Sequence, residues 1–113
     1  MKNVEIDEKI KADPELAPAV KDATILLDAE LGASADLVTA RWNLSEDARS
    51  RPVIDLEISD FTGAVSTRFA PDELRNTSHM QVRLGRLWGD LLQVRSHKQV
   101  EKLRQLVREQ GDN

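Results

Sequence analysis

Pro52-Val53-Ile54-Asp55-Leu56-Glu57-Ile58-Ser59-Asp60-Phe61-Thr62-Gly63-Ala64-Val65-Ser66-Thr67-Arg68-Phe69-Ala70-Pro71-Asp72-Glu73-Leu74 is the stretch that decides the fold. Ile54, Leu56 and Ile58 alternate with Val53, Asp55, Glu57 and Ser59, the period-two pattern of a strand with one buried face. Asp60-Phe61-Thr62-Gly63 is a turn: Asp bonds back to the backbone at its start, and Gly accepts a positive φ at its end. Val65, Thr67 and Phe69 then alternate with Ala64, Ser66 and Arg68, which predicts the returning strand. Pro71, Asp72 and Glu73 predict a helix start, with Pro in the first turn and two acids facing the helix dipole.

Working back from Pro52, residues 45–51 form a charged loop of hairpin length. Pro52 can open a strand but cannot sit inside a central one. The spacing predicts the preceding strand over residues 36–44. Val38, Ala40, Trp42 and Leu44 take one face; Leu37, Thr39, Arg41 and Asn43 take the other. Three strands joined by two short connections make an antiparallel meander. Before them, Leu16, Val20, Ala23, Leu27 and Leu31 form one apolar helical stripe. Asp13, Pro14 and Glu15 read as a helix start, but Pro18 means that either this first turn is separate or the main helix begins near Ala17; Gly32 stops it. Residues 1–12 read as an N-terminal arm or an edge strand. Val4 and Ile6 alternate as in a strand, while Ile6 and Ile10 are spaced as on a helix.

Beyond the hairpin, Asn76, Thr77 and Ser78 offer three helix caps. Met80, Leu84, Leu87, Trp88, Leu91 and Leu92 form a strong apolar stripe. Val100, Leu103, Leu106 and Val107 form a second, and Ser96 weakens the seam between them. The pattern fits one long helix from about Ser78 to Gln110, or two helices broken near Ser96 and His97. The expected fold is α+β: a three-stranded antiparallel meander, with a fourth N-terminal edge strand as an option, packed against an N-terminal helix and a long C-terminal helix. The order is (β)-α-β-β-β-α, a two-layer sandwich with residues 13–113 as a single domain.

The 113 residues suffice for one domain and one core, burying roughly 65% of the unfolded chain's surface. There is no cysteine, which excludes disulfides, thiolate catalysis and Cys-based zinc sites. No apolar run near the start matches a secretory segment, and none approaches the roughly 20 residues of a membrane span. The expectation is a cytoplasmic protein with no membrane contact. Charge divides along the chain. Residues 1–73 carry 8 basic and 16 acidic residues, residues 74–113 carry 8 and 4.

The inventory for catalysis is thin. His79 and His97, on a continuous helix, lie about 27 Å apart at 1.5 Å per residue and cannot share a metal. No nucleophile elbow or phosphate loop is present, and the glycines are scattered. Asp55 and Glu57 share one strand face, and Arg41 and Arg68 on flanking strands predict a cross-strand ion network rather than an acid–base pair. The expectation is a non-enzymatic chain with no catalytic residue, no metal and no cofactor.

Two surfaces remain. Gly85 and Gly89, four apart inside a helix, each cost about 1 kcal/mol relative to Ala. Close approach by another backbone, in the same chain or a second one, would compensate, and Trp88 beside them is a natural interface anchor. Val100, Leu103 and Val107 would project past a small sheet without a partner. Gly85, Trp88, Gly89, Val100, Leu103 and Val107 are therefore the candidate residues for binding a partner, either a second copy or another protein. The alternative is a basic helix face of Arg83, Arg86, Arg95, Lys98 and Lys102 that could meet RNA phosphates, without aromatic residues placed for base stacking. The order of elements is similar to that of ribosome hibernation factors of the small promoting-factor type. The resemblance is one of element order over most of the chain, with no motif matched and no functional residue carried across.

Overall fold

The computed structural model describes residues 1–111, and side chains as far as Arg108. Strand β1 (Asn3–Ile6) leads into a one-turn helix α1 (Glu8–Lys11) and then helix α2 (Leu16–Leu31). Strands β2 (Thr39–Glu46), β3 (Pro52–Asp60) and β4 (Gly63–Phe69) follow, and helix α3 (Thr77–Gly111) closes the chain. The sheet order is β1-β2-β3-β4. β2, β3 and β4 form the expected antiparallel meander. β1 adds the fourth, edge strand in parallel with β2, so the sheet is mixed.

Period-two alternation does what it predicts. Ala40, Trp42, Ile54, Leu56, Ile58 and Phe69 turn inward and are buried. The Trp42 and Phe69 rings lie 6.3 Å apart at the centre of this layer. α2 covers it with Leu16, Val20, Ala23, Leu27 and Leu31, and α3 covers it with Met80, Leu84, Leu87 and Leu91. The opposite sheet face is charged. Arg41 spans Glu5 (2.8 Å) and Glu57 (3.5 Å), while Arg68 pairs with Asp55 (2.8 Å), which also accepts from Ser45 Oγ (2.6 Å).

The N-terminal ambiguity resolves into two elements in tandem. Val4 and Ile6 belong to β1, and Ile10 on α1 is fully buried. Asp7 joins them. Its carboxylate accepts from the Lys9 and Leu44 backbone N–H groups, and its own N–H donates to the Trp42 carbonyl. At the start of α2, the Asp13 carboxylate accepts from the Glu15 and Leu16 N–H groups. Pro18 falls in the first turn, where a missing N–H breaks no helical bond.

Two element boundaries and one core position differ from the sequence expectation. Residues 32–37, the last two of which the alternation assigns to the strand over 36–44, form a 3-10 helix. Gly32 at φ +57° ends α2 without releasing the chain into a strand, and the alternation begins only at Val38. Pro71–Arg75 is a separate 3-10 turn, and α3 begins after Asn76, whose side chain accepts from the His79 N–H (3.1 Å). Leu92, expected in the core stripe, is 38% exposed, because it lies about 100° around the helix from the buried Leu91. α3 itself is one unbroken helix through Ser96 and His97.

Ile10→Ala should destabilise the chain by about 2–5 kcal/mol, the range for truncating a fully buried aliphatic residue. Urea denaturation with an unchanged slope is the check. A loss under about 0.5 kcal/mol, the size of a surface effect, would show that α1 is not part of the core.

Candidate interaction surface

α3 has 35 residues, about 52 Å at 1.5 Å per residue. The sheet beneath it has strands of no more than nine residues. The hairpin between β3 and β4 marks where the sheet stops supporting the helix. A Cβ on Gly63 would lie 2.9 Å from Val94 Cγ1, so only a glycine lets the hairpin approach this closely. One residue on, Arg95 Nη2 donates to Asp60 Oδ2 (2.8 Å), and its guanidinium lies 5.4 Å from the centre of the Trp88 ring. From Ser96 to Arg108 every residue is exposed.

That clamp has its own electrostatics. Burial works to raise the Asp60 carboxyl pKa. Hydrogen bonds from Thr62 and Arg95 outweigh it and hold the group below the ordinary aspartate range. Glu73 behaves alike: burial opposes ionisation, and His79 (3.2 Å) and Arg83 (2.9 Å) more than offset it.

The six candidate partner-binding residues divide between two settings. Gly85 faces α2 of the same chain, where a Cβ would lie 2.9 Å from Glu30 Oε1. Trp88 is half-buried against the core edge, under Arg95. A Cβ on Gly89 would meet nothing within 4 Å. Val100, Leu103 and Val107 are 46%, 61% and 68% exposed on the projecting end, joined by Leu106.

The five candidate RNA-binding cations also divide. Arg83 donates to Glu73, to Thr67 Oγ1 (2.6 Å) and to the Arg68 carbonyl (2.7 Å), and it lies over the Phe69 ring. Arg95 is held by Asp60. Arg86, Lys98 and Lys102 are exposed.

A second stripe on α3 escaped the sequence reading. Val82, Gly85, Gly89, Leu92 and Ser96 continue into Val100, Leu103 and Val107 in steps of three or four residues. This line lies roughly 150° around the helix from the buried line, at 3.6 residues per turn. Val82 is 55% exposed. Two glycines and a serine conceal the pattern from a search for apolar residues. The three-four spacing was its one signal. α2 borders this stripe with Glu30 and, nearer the start of α3, with Asp22, Ile25 and Leu26 around a depression shared with Leu74, Arg75 and Thr77.

Because the Asp60 pKa is lowered in the folded chain, its stabilisation is present in full above the ordinary aspartate range and is lost as pH falls through the lowered value. The stability gap between the wild type and Asp60→Asn, measured by urea melts across acid pH, should therefore close as the pH drops. A gap constant with pH would show that the charge of Asp60 contributes nothing. No protein-family model, no curated protein and no solved structure matches this chain.

Proposed function

We propose that this chain works by binding rather than catalysis, as a small protein-interaction module that self-associates through α3. One observation carries the reading. Val100, Leu103, Leu106 and Val107 form a contiguous apolar face on a helix segment in which every residue from Ser96 to Arg108 is exposed. Isolated surface leucines need no explanation, but contiguous apolar side chains rimmed by charged ones are the usual mark of an interaction surface. No residue from Ser96 to Arg108 is buried to stabilise the helix, and helices of about 12–15 residues are marginal in water without packing. A partner helix or groove supplies that contact.

The carboxylates that come nearest to a catalytic pair support the same reading. Asp55 and Glu57 are each tied to an arginine across the open sheet face. Arg83 and Arg95, which would anchor an RNA-binding face, are bound within the chain.

Light scattering on a sizing column should give twice the 12.7 kDa chain mass at high concentration and a falling mass on dilution. Leu103→Glu with Val107→Glu should return the single-chain mass without changing the helical circular dichroism. A double variant that keeps the wild-type mass would refute the reading. So would a wild-type monomer carrying nucleic acid that high salt strips away.

A further inference from the structure

We propose that the projecting half of α3 docks in the groove between α2 and α3 of a second copy, with the two α3 helices antiparallel and each tail filling the other's groove. This rests on self-association through α3 and specifies what receives the tail.

Charge disfavours the simpler arrangement of tail against tail. Residues 95–108 carry five cations, Arg95, Lys98, Lys102, Arg104 and Arg108, against one acid, Glu101. Pairing two such segments sets like charges side by side. The groove has the opposite character. Glu30 and Asp22 border it on the α2 side, with Ile25, 60% exposed, beside them. The cations near it are Arg75, at the far end of the depression that holds Asp22, and Arg86 on the opposite flank of α3. A basic-edged apolar helix and an acid-edged apolar groove are complementary, and the same chain carries both.

Shape gives the register. Antiparallel pairing that sets Val82 against Val107 of the second copy also sets Gly89 against its Val100, since each lies seven residues along. Leu103 of the second copy then falls beside Gly85, and its Lys102 and Arg104 fall near Glu30. Val100 of the second copy meets the bare position at Gly89, while the Glu30 carboxylate covers Gly85 beside Leu103. Gly89 in particular costs about 1 kcal/mol in a helix interior, and no neighbour within the chain occupies the space it leaves. Two-fold symmetry repeats each contact, so the joined stripe runs about 37 Å from Val82 to Val107, well beyond the tail alone.

The chain has no cysteine, so disulfide trapping is clean. Gly89→Cys with Val100→Cys in one chain should oxidise to a covalent dimer. Either single variant should not, because like positions then lie about 16 Å apart along the helices, far beyond the roughly 7 Å Cα separation a disulfide spans. The open space at Gly89 leaves the fold intact in these variants. Glu30→Lys should weaken the dimer on the order of tenfold, and adding Lys102→Glu should restore it. A dimer by light scattering that gives no 89–100 cross-link, or that ignores Glu30→Lys, overturns the groove and leaves self-association standing. A monomer at every concentration overturns both.

Discussion

A strand of nine residues is about 30 Å long and a helix of 35 residues about 52 Å, and this difference in length shapes the molecule. The sheet can bury one face of α3 only as far as its own edge. Everything beyond that edge must be polar, find another chain, or leave apolar surface in water. The radius of gyration, 17.1 Å, exceeds the roughly 13 Å of a compact domain of this length, and the long axis reaches 63 Å. The excess length is α3.

The helix therefore carries two instructions on different faces. On the inner face Met80, Leu84, Leu87 and Leu91 read the sheet, and that line ends at the hairpin. The termination is built from a glycine approach at Val94 and an ion pair from Arg95 to the covered Asp60 carboxylate. An ion pair with one fully covered partner is costly to break from one side, so the end of the supported region is well defined. On the outer face the spacing continues through Gly85, Gly89 and Ser96 to the exposed tail without reference to the sheet. The arginines split in the same way. Arg83 and Arg95 are structural ties, while Lys102, Arg104 and Arg108 lie out on the tail.

Much of the fold was legible because strand alternation is a local signal. Residues 52–69 carried it without interruption, and Asp60-Phe61-Thr62-Gly63 turned where turn chemistry said it would. Asp55 and Glu57 fell into their cross-strand pairs with Arg68 and Arg41 for the same reason. The N-terminus was harder because four residues of strand and four of helix adjoin, so both periods were present at once. What failed depended on neighbours distant in sequence. A helical line shows which residues share a face, but not what stands opposite. Nothing in the sequence places Glu30 beside Gly85, or Asp60 beside Arg95, and Gly89 looks identical to Gly85 until the space around each is measured.

Hydrogen exchange along α3, followed as a function of protein concentration, tests the central claim most directly. The tail buries no side chain from Ser96 to Arg108, so its amides should exchange as a fraying helix in dilute protein, while the part of α3 that carries Met80 to Leu91 exchanges as slowly as β3. If the tail is an interface between copies, protection from Ser96 to Arg108 should rise with concentration and that of β3 should not. Fast exchange of the tail at every concentration would contradict the account.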